Sequence, residues 1–151
     1  AIASERPKAR ITAVDASDAA LAVAAANGRR LGLVNVAFEP GDWYSGLAGR
    51  RFDAIVGNPP YIAVDDPHLH EGDLRFEPPA ALSSGPDGLD AIRIIVAGAP
   101  AHLEPGGCLL LEHGWTQGAA VRALLADAGF DGISTARDLE GRERVSMGKM
   151  P

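Results

Sequence analysis

Short, nearly continuous apolar runs alternate along this chain with longer stretches of helical period. Ile11-Thr12-Ala13-Val14 leads into Asp15 and predicts a strand over residues 10–15, and residues 34–39 and 52–57 repeat the pattern. A fourth run, residues 109–112, is announced by Pro105-Gly106-Gly107. Strands apolar on both faces belong to a parallel sheet covered by helices. The segments between them supply the helices. An Ala-rich helix is capped by Ser17, runs to about Leu31 and stops at Gly32, a second spans residues 88–103, and a third runs over residues 117–128 and is closed by Gly129. The pattern then changes, because residues 132–137 and 144–149 read as strands with no helix between them. A final antiparallel, hairpin-like pair is therefore expected. Residues 63–87 show no period, and a stretch of that length is expected to shape a site rather than merely connect.

Composition narrows the class. Of 151 residues, 46% are hydrophobic and 23% charged, which suits one globular domain with an ordinary core. The balance of 14 basic and 20 acidic residues, net −6, argues against broad clamping of a phosphate backbone and favours a protein or small-molecule substrate. Cys108 stands alone, so no internal disulfide can form, and the reducing cytoplasm is the expected location. No run approaches the roughly 20 apolar residues that cross a bilayer. Residues 1–7, with no initiator Met, read as the last turns of a helix, so the chain is expected to be a piece of something longer.

The candidate chemistry lies at the end of the third apolar run, in Asn58-Pro59-Pro60-Tyr61. An amide or ring-attached NH2 is a poor nucleophile because its lone pair is delocalised into the adjoining π system. The Asn58 side-chain oxygen and the Pro59 carbonyl can accept the two N–H bonds of such a group and hold it in line with a methyl donor. Consecutive prolines stiffen the backbone and add no competing N–H. Tyr61 offers a flat face to the substrate plane. A proline-rich turn accounts for the prolines but not for an aromatic placed after them at a strand end. Asp15 also ends a strand, where open α/β sheets bind ligands, and it can accept from both ribose hydroxyls of a nucleoside or serve as a helix cap. Asp42 beside Trp43 could accept from an adenine amino group while the indole packs on the ring, or Trp43 could belong to the core rim.

Six segments in this order and spacing resemble the class I S-adenosylmethionine-dependent methyltransferases, and within them the release-factor glutamine methyltransferases. They are Ala13-Val14-Asp15, Gly41-Asp42-Trp43, Gly57-Asn58-Pro59-Pro60-Tyr61-Ile62, Gly72-Asp73-Leu74-Arg75-Phe76-Glu77-Pro78, Leu110-Leu111-Glu112-His113-Gly114, and Arg137-Asp138 followed by Arg142-Glu143-Arg144-Val145. The resemblance implies an α/β fold with a Rossmann-like sheet whose last strand is antiparallel. The six strand candidates would be the second to seventh of that sheet. Its first, central strand and glycine-rich loop would precede Ala1, so residues 1–151 are expected to form a single catalytic domain incomplete at its N-terminal side. Two strand edges would be left unpaired, and the chain alone is expected to be inactive.

The resemblance implies S-adenosyl-L-methionine as cofactor, contacted by Asp15, Asp42, Trp43 and Asn58. It implies Asn58, Pro59, Pro60 and Tyr61 as the catalytic group, and N5-methylation of the glutamine in the Gly-Gly-Gln motif of a peptide chain release factor. Arg75 and Glu77 would anchor the loop behind the tetrapeptide. Asp65, Asp66, His68, His70, Glu71 and Asp73 fit no zinc spacing and read as a solvated acidic loop. His113 reads as structural and Cys108 as core. Two rival readings are an amino methyltransferase of adenine or cytosine in nucleic acid, opposed by the negative charge, and a non-catalytic binding module. Nucleic acid and membrane are not expected partners.

Overall fold

A computed structural model describes residues 1–70, 72, 76 and 78–151, without the side chains of His68 and His70. The chain forms two compact units, residues 1–48 and 49–151. In the first, α1 (Ile2–Glu5) is followed by β1 (Ile11–Asp15), α2 (Asp18–Arg30) and β2 (Val36–Pro40). The two strands pair in parallel from Ile11 opposite Val36 to Asp15 opposite Pro40. α2 begins where Ser17 Oγ accepts from Ala20 N at 3.2 Å, as its sequence predicts, and ends at Gly32, whose φ of +65° suits glycine. A Cβ on Gly28 would sit 3.0 Å from the Phe38 ring, so this glycine lets α2 lie close on β2. Asn35 Nδ2 lies 3.1–3.2 Å from the carbonyls of Ala3, Arg6 and Ala9 and ties the first helix to the start of β2. β2 starts two residues later than the apolar run suggests. Val34 is 97% exposed because the ladder begins only at Val36.

The second unit holds β3 (Phe52–Gly57), a 3-10 turn (Pro67–His70), α3 (Pro79–Leu82), α4 (Asp90–His102), β4 (Leu103–Glu112), α5 (Gly118–Asp127), β5 (Asp131–Arg137) and β6 (Glu143–Lys149). Its sheet runs β3-β4-β6-β5. β3 and β4 are parallel, while β6 is antiparallel to both β4 and β5. The expected antiparallel pair is present, and its second strand inserts between the first and the rest of the sheet. The core gathers Ile92, Ile95, Val96 and Ala99 of α4, Leu109 and Leu111 of β4, and Val121 and Leu125 of α5. β4 starts at Leu103, six residues before the predicted run. Leu103 pairs with Phe52, and the register then slips so that Ala54 faces Cys108. Pro105-Gly106-Gly107 therefore forms an irregularity inside the strand rather than its boundary.

The α/β class is borne out, with six strands in the expected sequence order. Among the described residues they form two sheets, in which β1 hydrogen-bonds only β2 and β3 only β4, so each has one edge without a strand partner. Val56 of β3 is 58% exposed, unlike the buried Leu109 and Leu111 on its partner strand. Among the described residues no helix is long and apolar enough to cross a membrane.

Candidate functional site

In the first unit the candidate residues share one edge. Asp15 ends β1, and the turn carrying Asp42 and Trp43 follows β2, so the parallel register delivers both to the carboxyl end of the two-stranded sheet. Gly41 N donates to Asp15 O at 3.1 Å and folds the second turn against the first. Only glycine fits there, because a Cβ on Gly41 would lie 2.6 Å from Ser45 O and 2.9 Å from Val14 Cγ1. Asp42 N donates to Ser45 Oγ at 2.7 Å and Ser45 N returns to Asp42 O at 2.9 Å, closing a tight turn. Inside it Trp43 has φ +51°, the one non-glycine residue with positive φ among the described residues. A bulky side chain held in the left-handed region is strained, and such strain concentrates at ligand sites.

Asp15 is not the helix cap, since Ser17 takes that position. One carboxylate oxygen of Asp15, Oδ1, accepts from Ser17 N at 2.8 Å. That bond fixes the direction of the side chain while the residue itself is exposed. Tyr44, beside Trp43, is held well above the usual phenol range by burial.

In the second unit Asn58-Pro59-Pro60-Tyr61 leaves the end of β3. Pro59 is buried and Asn58 exposed. The segment behind it is tied down by the backbone. Ile62 N donates to Leu82 O at 3.0 Å, Ser84 N to Ile62 O at 2.9 Å, and Val64 N to Gly85 O at 3.0 Å. Tyr61 is fixed at both ends. Its hydroxyl donates to Glu112 Oε1 at 3.3 Å and its carbonyl accepts from Gln117 Nε2 at 3.0 Å. Burial, then the Glu112 charge, pushes the Tyr61 phenol up. Arg144 spans Asp138 at 3.2 Å and the His113 carbonyl at 3.3 Å. Asp138 in turn is held below the usual carboxylate range, first by the Arg142 backbone N–H and also by Arg144.

The acceptors at Asn58 and Pro59 stand apart from this network. The Asn58 carboxamide and the Pro59 carbonyl accept no hydrogen bond from the described residues. These are the two oxygens that the sequence singles out for a planar NH2.

His113 is fully buried, with Nδ1 2.8 Å from the Gly114 carbonyl and Nε2 2.9 Å from Ser146 Oγ. Its place is structural, as expected. Cys108, expected in the core, is half-buried, with its sulfur 3.9 Å from the Asp53 carbonyl. Glu71, Asp73, Arg75 and Glu77 lie outside the described residues, as do the side chains of His68 and His70, so the expected roles of Arg75 and Glu77 fall there too. Among the described residues no group of His, Cys, Asp and Glu is arranged to hold a metal ion.

Sequence reasoning missed Gln117 and Gly88. One signal was available for Gln117, which stands in the capping position of α5, where Ser, Thr, Asp or Asn is usual, and makes no capping bond. Its side chain is engaged elsewhere.

Residues 1–71 match the family model described as "Methyltransferase small domain". Over its whole length the chain is 63% identical to a release factor glutamine methyltransferase of Xylella fastidiosa and covers 55% of that protein. Over 98% of its length it is 58% identical to the Pseudomonas aeruginosa protein of the same name, covering 54% of it. The chain thus spans about half the length of the curated relatives it matches. Among solved structures, the protein-(glutamine-N5) methyltransferase of Alicyclobacillus acidocaldarius is 26% identical with a TM-score of 0.52 over 94% of this chain and 80% of that one. A Pyrococcus furiosus methyltransferase, 18% identical, aligns with a TM-score of 0.72 over 98% of this chain and 66% of that one. The fold is that of the class I methyltransferases, and the anticipated likeness to the release-factor glutamine methyltransferases holds from end to end of the chain.

Proposed function

We propose that this chain, a relative of the release-factor glutamine methyltransferases along its whole length, is the greater part of a catalytic domain that N5-methylates the Gly-Gly-Gln glutamine of a peptide chain release factor in the cytoplasm. The carrying observation is the pair of open acceptors, Asn58 and the Pro59 carbonyl, on a tetrapeptide whose Tyr61 hydroxyl and carbonyl are both engaged. A glutamine side-chain amide presents two N–H bonds in one plane, and two acceptors fixed on rigid backbone orient it without distorting anything.

S-adenosylmethionine would supply a methyl group on a sulfonium, and in the first unit Asp15, Asp42 and Trp43 would hold it. The residues fit such a ligand. Asp15 has its direction set through Oδ1, Asp42 is exposed in its turn, and Trp43 is half-buried on a backbone with positive φ. The Asn58 side-chain oxygen and the Pro59 carbonyl would accept the two N–H bonds of the substrate amide and hold its plane fixed. Positive charge developing on the amide nitrogen would strengthen both hydrogen bonds and so lower the barrier by differential binding, with the bonding pair of the methyl staying on the thioether sulfur that leaves. The surplus proton is then acidic enough to leave for water, and no general base is required. Tyr61, pinned at both ends, is a wall for the amide plane.

The test uses the full-length protein that contains this chain, with labelled cofactor. Label should enter the glutamine of a bacterial-type release factor, with duplex DNA left unlabelled. The short loop peptide should be a poorer substrate than the folded factor, because remote contacts contribute to transition-state binding. Label in adenine or cytosine, with none in the release factor, overturns the proposal. In the same protein, Trp43→Ala should weaken S-adenosylmethionine by about 1–3 kcal/mol through loss of stacking, with a smaller change in kcat at saturation. An unchanged cofactor Kd by calorimetric titration would return Trp43 to a packing role.

A further inference from the structure

The carboxamide of Gln117 uses both of its donors and its oxygen on three separate segments. Its Oε1 accepts from Gly114 N at 2.8 Å, and its two Nε2 protons go to Tyr61 O at 3.0 Å and Asp87 O at 3.1 Å. One side chain thereby joins the turn after β4, the end of the tetrapeptide and the loop that enters α4. Glu112, the last residue of β4, takes the hydroxyl of the same tyrosine. Both ends of Tyr61 are therefore located by one strand-turn-helix unit.

The neighbouring loop is shaped to admit this bond. Gly88 has φ +74°, and a Cβ there would lie 2.3 Å from Tyr61 O and 2.8 Å from Gln117 Nε2. Any side chain at position 88 would occupy the space the bond needs. Two independent features, an amide with both donors committed and an obligatory glycine, converge on the Tyr61 carbonyl.

We propose that Gln117 is the positioning residue of the tetrapeptide: by anchoring the Tyr61 carbonyl to the turn after β4, it sets where Asn58 and the Pro59 carbonyl stand. The proposal rests on the functional reading above for its kinetic consequence, but the geometric claim stands on its own. Pro59 and Pro60 have rigid backbones, so an anchor at Tyr61 is transmitted to Asn58 rather than absorbed. Gln117 touches no substrate in this scheme. It acts on orientation, where a misplacement of about 1 Å costs on the order of 10²-fold in rate.

Gln117→Glu is the sharpest variant, because it keeps the shape and the bond from Gly114 N while turning an oxygen toward two carbonyls. Gln117→Ala removes the anchor without the repulsion and guards against a fold that fails. In the full-length protein, both should lower kcat by about 10²-fold, Glu more than Ala, with cofactor Kd and thermal midpoint close to the parent. Backbone hydrogen exchange gives a readout that does not depend on activity. Ile62 and Val64, whose amides are bonded to Leu82 and Gly85, should lose protection, while the amides pairing β4 with β6 keep theirs. Unchanged protection at Ile62 and Val64, or protection lost evenly through residues 49–151, would overturn the proposal. A kcat within a few-fold of the parent would do so as well. If the parent protein methylates no release factor, the functional reading fails, and the exchange pattern still decides the role of Gln117.

Discussion

Asn58→Ala in the full-length protein is expected to lower kcat by about 10²-fold or more, with a much smaller change in the affinity for S-adenosylmethionine. The side chain is exposed at the end of β3 and accepts no hydrogen bond from the described residues, so its removal breaks nothing inside the unit and should leave stability near the parent. What is lost is one of two acceptors on the reacting nitrogen. The remaining acceptor, the Pro59 carbonyl, cannot by itself hold the amide plane against rotation. Single-turnover kinetics at saturating cofactor isolates the chemical step. A rate near that of the parent would remove Asn58 from the catalytic group, and a parallel collapse of cofactor affinity would make it a binding residue instead.

The largest effect on stability is expected at His113. Its Nδ1 faces the Gly114 carbonyl, which can only accept, so that nitrogen carries a proton. With Nδ1 protonated in the neutral ring, Nε2 accepts from Ser146 Oγ at 2.9 Å, Ser146 in turn accepts from Thr135 Oγ1 at 2.8 Å, and Thr135 accepts from Arg122 at 2.8 Å. Both buried members of the line, His113 and Ser146, have their donors matched to acceptors. His113→Ala empties a fully buried site and leaves Ser146 without its acceptor, at a cost of about 3 kcal/mol or more. Urea unfolding should show a lower midpoint with an unchanged slope. His113→Gln, which restores part of the bonding, should lose less. A loss below about 1 kcal/mol for His113→Ala would mean that the line of hydrogen bonds contributes little.

What the sequence determined by itself was the set of local decisions. Phe52 to Gly57 is a strand to the residue because its apolar run is bounded by polar Arg51 on one side and by Asn58-Pro59 on the other. Ser17 caps α2 and Gly32 ends it because both act on the backbone within one turn. The same locality made the candidate residues visible. Asp15, Asp42-Trp43 and Asn58 to Tyr61 each follow an apolar run, and chain order alone places them at strand ends.

Tertiary structure decided what depends on residues distant in sequence. The early start of β4 at Leu103 requires Phe52 as partner, and no periodicity near Leu103 announces it. The insertion of β6 beside β4 matches Glu112 with Val145 through pairings that cross the whole of α5 and β5. Trp43 reads as an ordinary aromatic until the turn closed by Ser45 and Gly41 forces it to φ +51°. Gln117 is a polar residue at a helix start in one dimension and an anchor for Tyr61 in three, because its partners lie 56 and 30 positions away. Propensity, capping and apolar period act over a few residues and are written locally. Register, the sharing of one side chain among three segments, and the strain that a turn imposes arise only when distant backbone is brought within hydrogen-bond range.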